Sequence, residues 1–142
     1  MDKKIKVLMV DDEAQFRATT NKILTRRGFD TIMAESGEEA LTQLSKNPDV
    51  IILDIKMPGM DGHETLLEIR KVKPDIPVIM LTGHATVETA IDGMKLGAFD
   101  YLMKPCDIDL LLSKVTDAAS KKRKHEEKIV EARIKEITQR QI

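Results

Sequence analysis

Val50-Ile51-Ile52-Leu53-Asp54-Ile55-Lys56-Met57-Pro58-Gly59-Met60-Asp61-Gly62-His63-Glu64 holds a strand, a sharp turn and a helix start in one short segment. Residues 50–53 are continuously apolar, as expected of a parallel strand buried on both faces. Pro58-Gly59 supplies turn chemistry. Asp61 stands three residues before Glu64, which is cap spacing with Asp in place of Ser or Thr, and Leu66, Leu67 and Ile69 follow at helical intervals.

The same unit recurs along the chain. Apolar runs at 5–10, 31–34, 78–81 and 99–103 alternate with helical patterns. Residues 14–27 place Phe16, Ile23 and Leu24 on one face. Ser36-Gly37-Glu38-Glu39 fits a capping box and opens the helix carrying Ala40, Leu41 and Leu44. Thr86 caps 87–96, which Gly97 ends, and Asp107 caps a last helix. Five strand–helix units predict an α/β fold, a doubly wound five-stranded parallel sheet with helices on both faces. Right-handed crossovers leave few topologies for it.

Composition narrows the function classes. A chain of 142 residues has room for one domain, and its 42% hydrophobic share is ordinary for a globular protein. Phe16, Phe29, Phe99 and Tyr101 are the only aromatics, too few for a stacking surface on single-stranded nucleic acid. The net charge of -1 hides an asymmetry. Residues 1–116 carry 15 basic and 19 acidic side chains, whereas 117–142 carry 8 and 5. The acidic body argues against nonspecific, direct nucleic-acid binding. The basic run Lys121-Lys122-Arg123-Lys124 reads as a solvated helix face before it reads as a contact for an acidic partner. Cys106 is alone, so no disulfide framework is expected and a cytoplasmic location is natural. The apolar run before Asp11 is too short for a signal peptide or a membrane span.

Chemistry gathers where the strands end. In open α/β sheets, ligands bind beyond the carboxyl ends of the strands. The first strand delivers Asp11-Asp12-Glu13 there, the third Asp54, the fourth Thr82-Gly83 and the fifth Lys104-Pro105. Singly, each has an ordinary role: a helix cap for the acidic pair, a turn for Asp54 and Thr82, a surface position for Lys104. Capping does not explain their convergence on one edge. Carboxylates packed together raise one another's pKa unless a cation neutralises them. An oxygen-only donor set suits Mg2+, which takes one or two carboxylates plus phosphate oxygens. With the metal present, Asp54 can act as a nucleophile toward a phosphoryl group, while Lys104 and the Thr82 hydroxyl meet its oxygens.

At residues 4 to about 118 the sequence resembles the receiver domains of bacterial two-component response regulators. The acidic pair after the first strand, the segment from Leu53 to Gly62, Thr82-Gly83 and Lys104-Pro105 carry the resemblance, in order and spacing. It implies a flavodoxin-like strand order, 2-1-3-4-5, and phosphorylation of Asp54 by a sensor histidine kinase. It further implies Mg2+ held by Asp12, Asp54 and the Lys56 carbonyl, with Asp11 acting mainly through water. Thr82 and Tyr101 become the switch pair, Lys104 the phosphate-binding lysine, and Lys104-Pro105 a cis bond. Thr82-Gly83-His84-Ala85-Thr86 and Gly97-Ala98-Phe99-Asp100-Tyr101 are similar to receivers of enhancer-binding transcription activators, whose last helix continues into a dimerising linker. Lys56 and His84 flank the path of attacking water, and neither is a side-chain amide. A metal role for His84 is disfavoured, since no second His or Cys lies nearby in sequence.

Two rivals make other demands. An aspartyl phosphatase of the best-known kind needs a second carboxylate two residues past the nucleophile, where this chain has Lys56. A nucleotide or flavin binder needs a Gly-rich or Ser/Thr-rich turn after the first strand, where Asp11-Asp12-Glu13 would repel an unaccompanied phosphate. After Pro105 there is no Gly or Pro. The last helix is therefore expected to run unbroken to about Glu136, dividing the chain into a receiver domain at 1–118 and a helical extension or linker at 119–142. Ile129, Val130, Ile134 and Ile137 form an apolar stripe on that extension which a second copy of the chain could cover. The polar stretch from Ser120 to Lys128 interrupts any continuous heptad seam.

Overall fold

The computed structural model describes residues 3–83 and 86–140. Five parallel strands, β1 (Lys6–Val10), β2 (Asp30–Ala34), β3 (Val50–Leu53), β4 (Val78–Thr82) and β5 (Asp100–Met103), form one sheet in the order β2-β1-β3-β4-β5. The helices between and after them are α1 (Ala14–Arg26), α2 (Gly37–Gln43), α3 (Gly62–Val72), α4 (Val87–Lys95) and α5 (Ile108–Arg140), with a short 3-10 turn at Leu44–Lys46. Strand order and cis Lys104-Pro105 are as expected. The strand limits differ slightly: Phe99 precedes β5, and β2 begins one residue early at Asp30.

The alternation of side chains along each strand sorts the core into two layers. Leu8, Val10, Ile51, Leu53, Val78 and Met80 face α2 and α3, meeting Ala40, Leu44, Leu66 and Ile69. Val7, Met9, Val50, Ile52, Ile79 and Leu81 face α1 and α5, meeting Leu24, Leu111, Val115 and Ala118. The central strands β3 and β4 are wholly buried, which is why their sequences are apolar without alternation, whereas edge strands β2 and β5 are only half covered.

Helix starts follow the sequence signals. Ser36 Oγ accepts from the Glu39 N–H, Asp61 Oδ1 from Glu64, and Asp107 Oδ1 from Asp109. The box that closes in both directions is Thr86 with Thr89.

The last helix continues unbroken from Ile108 to Arg140. Its sheet-facing positions, three and four apart, run through Leu111, Val115, Ala118 and Ala119 and then reach Lys122 and Arg123. Those two cations are not an idle polar gap. Arg123 Nη2 donates to the carbonyls of Lys3 and Lys4 at 3.2 and 3.4 Å and lies 3.4 Å from Asp49 Oδ2, and Lys122 Nζ lies 3.9 Å from Asp49 Oδ1. The helix is thus tied to the amino ends of β1 and β3 before it leaves the sheet. No helix among the described residues is long and apolar enough to cross a membrane.

Candidate functional site

The carboxyl ends of β1, β3, β4 and β5 lie side by side because the register pairs Val10 with Leu53, Leu53 with Met80, and Thr82 with Met103. Each site residue leaves its strand within two positions of those pairs. Asp54 N–H donates to the Val10 carbonyl at 3.0 Å and Lys104 N–H to the Thr82 carbonyl at 2.9 Å, so the sheet ladder itself fixes where these side chains begin.

Asp11, Asp12 and Asp54 each bring a carboxylate oxygen within 4.8 Å of the others. Asp11 and Asp54 are buried and Asp12 is exposed, so the cluster opens to solvent on one side. Lys104 Nζ reaches into it from β5. It lies 2.6 Å from Asp11 Oδ2, 3.3 Å from Glu13 Oε1 and 3.8 Å from Asp54 Oδ2. Asp54 Oδ1 is buried with no hydrogen-bond partner among the described residues. A buried acceptor without a partner costs on the order of 1–3 kcal/mol, more when it is charged. That oxygen is therefore open to a partner other than the described groups of the chain.

The electrostatics follow. Burial pushes the Asp11 carboxyl above its ordinary value; the neighbouring Asp54 adds to that, and together they outweigh the lowering by Lys104 and by the Glu13 N–H. For Lys104 burial works to lower the pKa, yet the hydrogen bond it donates to Asp11 and the charges of Asp11 and Asp54 outweigh it and the ammonium is held above its ordinary value. An all-oxygen anionic cluster with a buried oxygen that has no partner among the described residues fits a hard divalent cation such as Mg2+.

Thr82 is fully buried as the last residue of β4. Lys56 sits in the loop after Asp54 with its side chain exposed. Tyr101 lies half-buried on β5, with β4 between it and the strand that ends at Asp54. Its hydroxyl donates to Thr89 Oγ1 at 3.0 Å, and His63 Nε2 meets the Thr89 carbonyl at 3.1 Å, so α3, α4 and β5 are joined through one threonine. His84 lies outside the described residues.

Several residues of the site were not evident from sequence. Gly62 opens α3 directly against the Asp54 loop: a Cβ there would lie 2.4 Å from the Asp54 carbonyl oxygen and 2.4 Å from Ile55 Cα. Its N–H donates to the Ile55 carbonyl at 2.6 Å. Glu38 reaches from α2 to accept the Met60 N–H at 3.0 Å and so holds the far side of the same loop. Arg17 Nη1 donates to the Asp11 carbonyl at 2.6 Å. The glycine after a capping aspartate was a readable hint; the Glu38 tether left no local signal.

Residues 7–116 match the response regulator receiver domain model. Among curated relatives, the regulatory protein AtoC of Escherichia coli (strain K12) is 42% identical over 107 residues, covering 75% of this chain and 23% of that protein. The DNA-binding transcriptional regulator NtrC of Klebsiella pneumoniae is 42% identical over 113 residues, covering 79% of this chain and 24% of that one. The chain thus spans about a quarter of the length of these relatives. Among solved structures, a CheY-like response regulator receiver domain protein of Methanospirillum hungatei JF-1 superposes with a TM-score of 0.81 at 30% identity, covering 87% of this chain and 99% of that one. The signal receiver domain of a LuxO repressor protein from Vibrio parahaemolyticus gives 0.82 at 27% identity, covering 87% and 96%. Fold, strand-end chemistry and family match agree, and the chain belongs to the response regulator receiver domains.

Proposed function

We propose that this chain is a cytoplasmic phosphoacceptor that takes a phosphoryl group from a sensor histidine kinase onto Asp54. The observation that carries the reading is the buried Asp54 Oδ1, without a hydrogen-bond partner among the described residues, in an acidic cluster with an ammonium 3.8 Å from its other oxygen. An Asp54 oxygen attacks phosphorus, a P–O bond forms, and the P–N bond to the kinase imidazole breaks with its electron pair leaving on nitrogen. Lys104 balances negative charge on the phosphoryl oxygens, and the Thr82 hydroxyl serves as a further donor. Asp12, Asp54 and the Lys56 carbonyl are the residues to hold Mg2+, with Asp11 joining through water. When bound, the ion supplies neutralising charge to the carboxylates and the phosphoryl group. The chain's own residues assist its phosphorylation and dephosphorylation, which makes it a signalling domain rather than an enzyme with a separate substrate.

The output follows from the same reading. Once a phosphoryl oxygen draws on Thr82, Tyr101 is to exchange its Thr89 contact for an inward position, shifting the surface of α4, β5 and α5 between two packings. We take 1–118 as the receiver and 119–142 as a helical extension through which two copies pair. Ile129, Val130, Ile134 and Ile137 are 42–58% exposed along the extension, which projects about 25 Å beyond the Asp49 contact at 1.5 Å per residue. An output in transcription regulation would come through a linked or partner domain.

Incubation with a small acyl phosphate and Mg2+ tests the site. One phosphoryl group is expected on the wild type by intact mass and none on Asp54→Asn. Equal labelling of the two proteins overturns the assignment.

A further inference from the structure

Lys104 has a fourth neighbour that carries no charge. Its Nζ lies 3.9 Å from the centroid of the Phe16 ring, on the first turn of α1. We propose that Phe16 is a positioning residue for phosphoryl transfer, holding the Lys104 ammonium over its ring face and within reach of Asp54. This inference rests on the phosphoacceptor reading above.

The need for such a residue comes from the chemistry of lysine. An ammonium on a flexible four-carbon stem is strongly hydrated and settles wherever charge and water are best. Asp11 holds it at 2.6 Å in the resting cluster, but Asp11 belongs to the same acidic group that a divalent cation would neutralise. Glu13, at 3.3 Å, is 66% exposed and draws the ammonium outward toward solvent. Neither carboxylate is a fixed support aimed at Asp54.

Phe16 is one. Its side chain packs against the core cluster that includes Leu24 and Leu81, so it is not free to follow the lysine. Its face presents the negative part of the ring quadrupole to the ammonium and competes for no phosphoryl oxygen. The side chain of Lys104 is only 14% exposed, and a desolvated cation over an aromatic face is the geometry in which this attraction is strongest. An ordinary core role for Phe16 would require an apolar side chain of similar size. The positioning role requires a π face.

Three variants separate these roles: Phe16→Leu keeps apolar bulk, Phe16→Tyr keeps the ring, and Asp54→Asn controls for the acceptor. The expected result is a phosphorylation rate from a small acyl phosphate that falls about three- to tenfold in Phe16→Leu and returns to within about twofold of wild type in Phe16→Tyr. Mg2+ affinity and melting temperature of Phe16→Tyr and the wild type should agree. Proton NMR of the unphosphorylated proteins gives a second reading, independent of phosphorylation. The Lys104 ε-methylene signals are displaced by the ring current in wild type and Phe16→Tyr and return to ordinary lysine positions in Phe16→Leu. Wild-type rates in Phe16→Leu, or equal losses in the Leu and Tyr variants, overturn the inference while leaving the acceptor assignment in place. Labelling of Asp54→Asn would instead remove that assignment, and the lysine signals would still report on the ring contact.

Discussion

Two aspartates bracket β3, and they are treated in opposite ways. Asp49, just before the strand, accepts the Lys6 N–H at 2.8 Å and has Arg123 and Lys122 within 3.4 and 3.9 Å. Asp54, just after it, is more deeply buried, yet one of its oxygens has no partner among the described residues. Four fully buried apolar residues separate them. A chain selected only for stability would have satisfied both. The difference teaches that the carboxylate tied into the fold is the one with its bonds made, and the carboxylate proposed as phosphoacceptor is the one left short.

The largest expected effect breaks the pair cleanly. Asp54→Asn should lose all phosphoryl labelling without losing stability, because it removes a buried negative charge from an acidic cluster. Calorimetry should give a melting temperature equal to the wild type or above it. A clear fall would mean that Asp54 is a structural acid like Asp49.

Next in size is Gly62→Ala. The added Cβ has backbone atoms at 2.4 Å, and backbone cannot swing aside as a flexible side chain would. Overpacking of this kind costs about 1–3 kcal/mol, and here the strain falls on the residues that place Asp54. Both denaturant midpoint and labelling rate should drop. A variant of wild-type stability and rate would show that α3 does not fix the acceptor loop.

Asp49→Asn is expected to do the reverse of Asp54→Asn, leaving labelling intact and lowering stability by about 1–2 kcal/mol. Hydrogen exchange should rise at the amino end of β1 and along α5 near Lys122, since Arg123 then loses its ionic partner there. Unchanged exchange in α5 would mean that the helix is held by its apolar face alone.

Much of this was legible in the chain. Continuous apolar runs at β1, β3 and β4, caps at Ser36, Asp61, Thr86 and Asp107, and Gly97 after α4 are local signals, and local signals survive in sequence. The convergence of Asp11, Asp12, Asp54, Thr82 and Lys104 could be read because strand ends in a parallel sheet fall on one edge whatever the loops do. What could not be read depends on long-range contact. Nothing near Phe16 announces a lysine 88 positions away over its ring. Lys122 and Arg123 looked like solvated charge interrupting an apolar stripe until the amino end of β3 was placed beside them. Asp49 and Asp54 look alike as letters, because hydrogen-bond satisfaction is a property of the assembled neighbourhood.

The smallest effect concerns pH, and it extends the same contrast to Glu38 and Asp11, two acids on either side of the Asp54 loop. Backbone N–H bonds, its own and that of Met60, hold the Glu38 carboxyl below its ordinary value. Burial drives the Asp11 carboxyl the other way, with Asp54 adding to it. The signs of the stability effects are therefore opposite. For Glu38 the folded value is the lower one, so its contribution is present above the unfolded value and is lost as pH falls through the folded value. For Asp11 the folded value is the higher one, so its contribution is present below the unfolded value and is lost as pH rises through the folded value. Carbon NMR of the metal-free protein should place the Glu38 midpoint below that of an unstructured glutamate and the Asp11 midpoint above that of an unstructured aspartate. Glu38→Gln should melt slightly below the wild type at neutral pH, and the gap should close once the wild-type carboxyl is protonated. A gap that persisted in acid would assign the loss to packing of α2 on the loop, and a Glu38 midpoint at or above the ordinary value would remove the Met60 tether from the site.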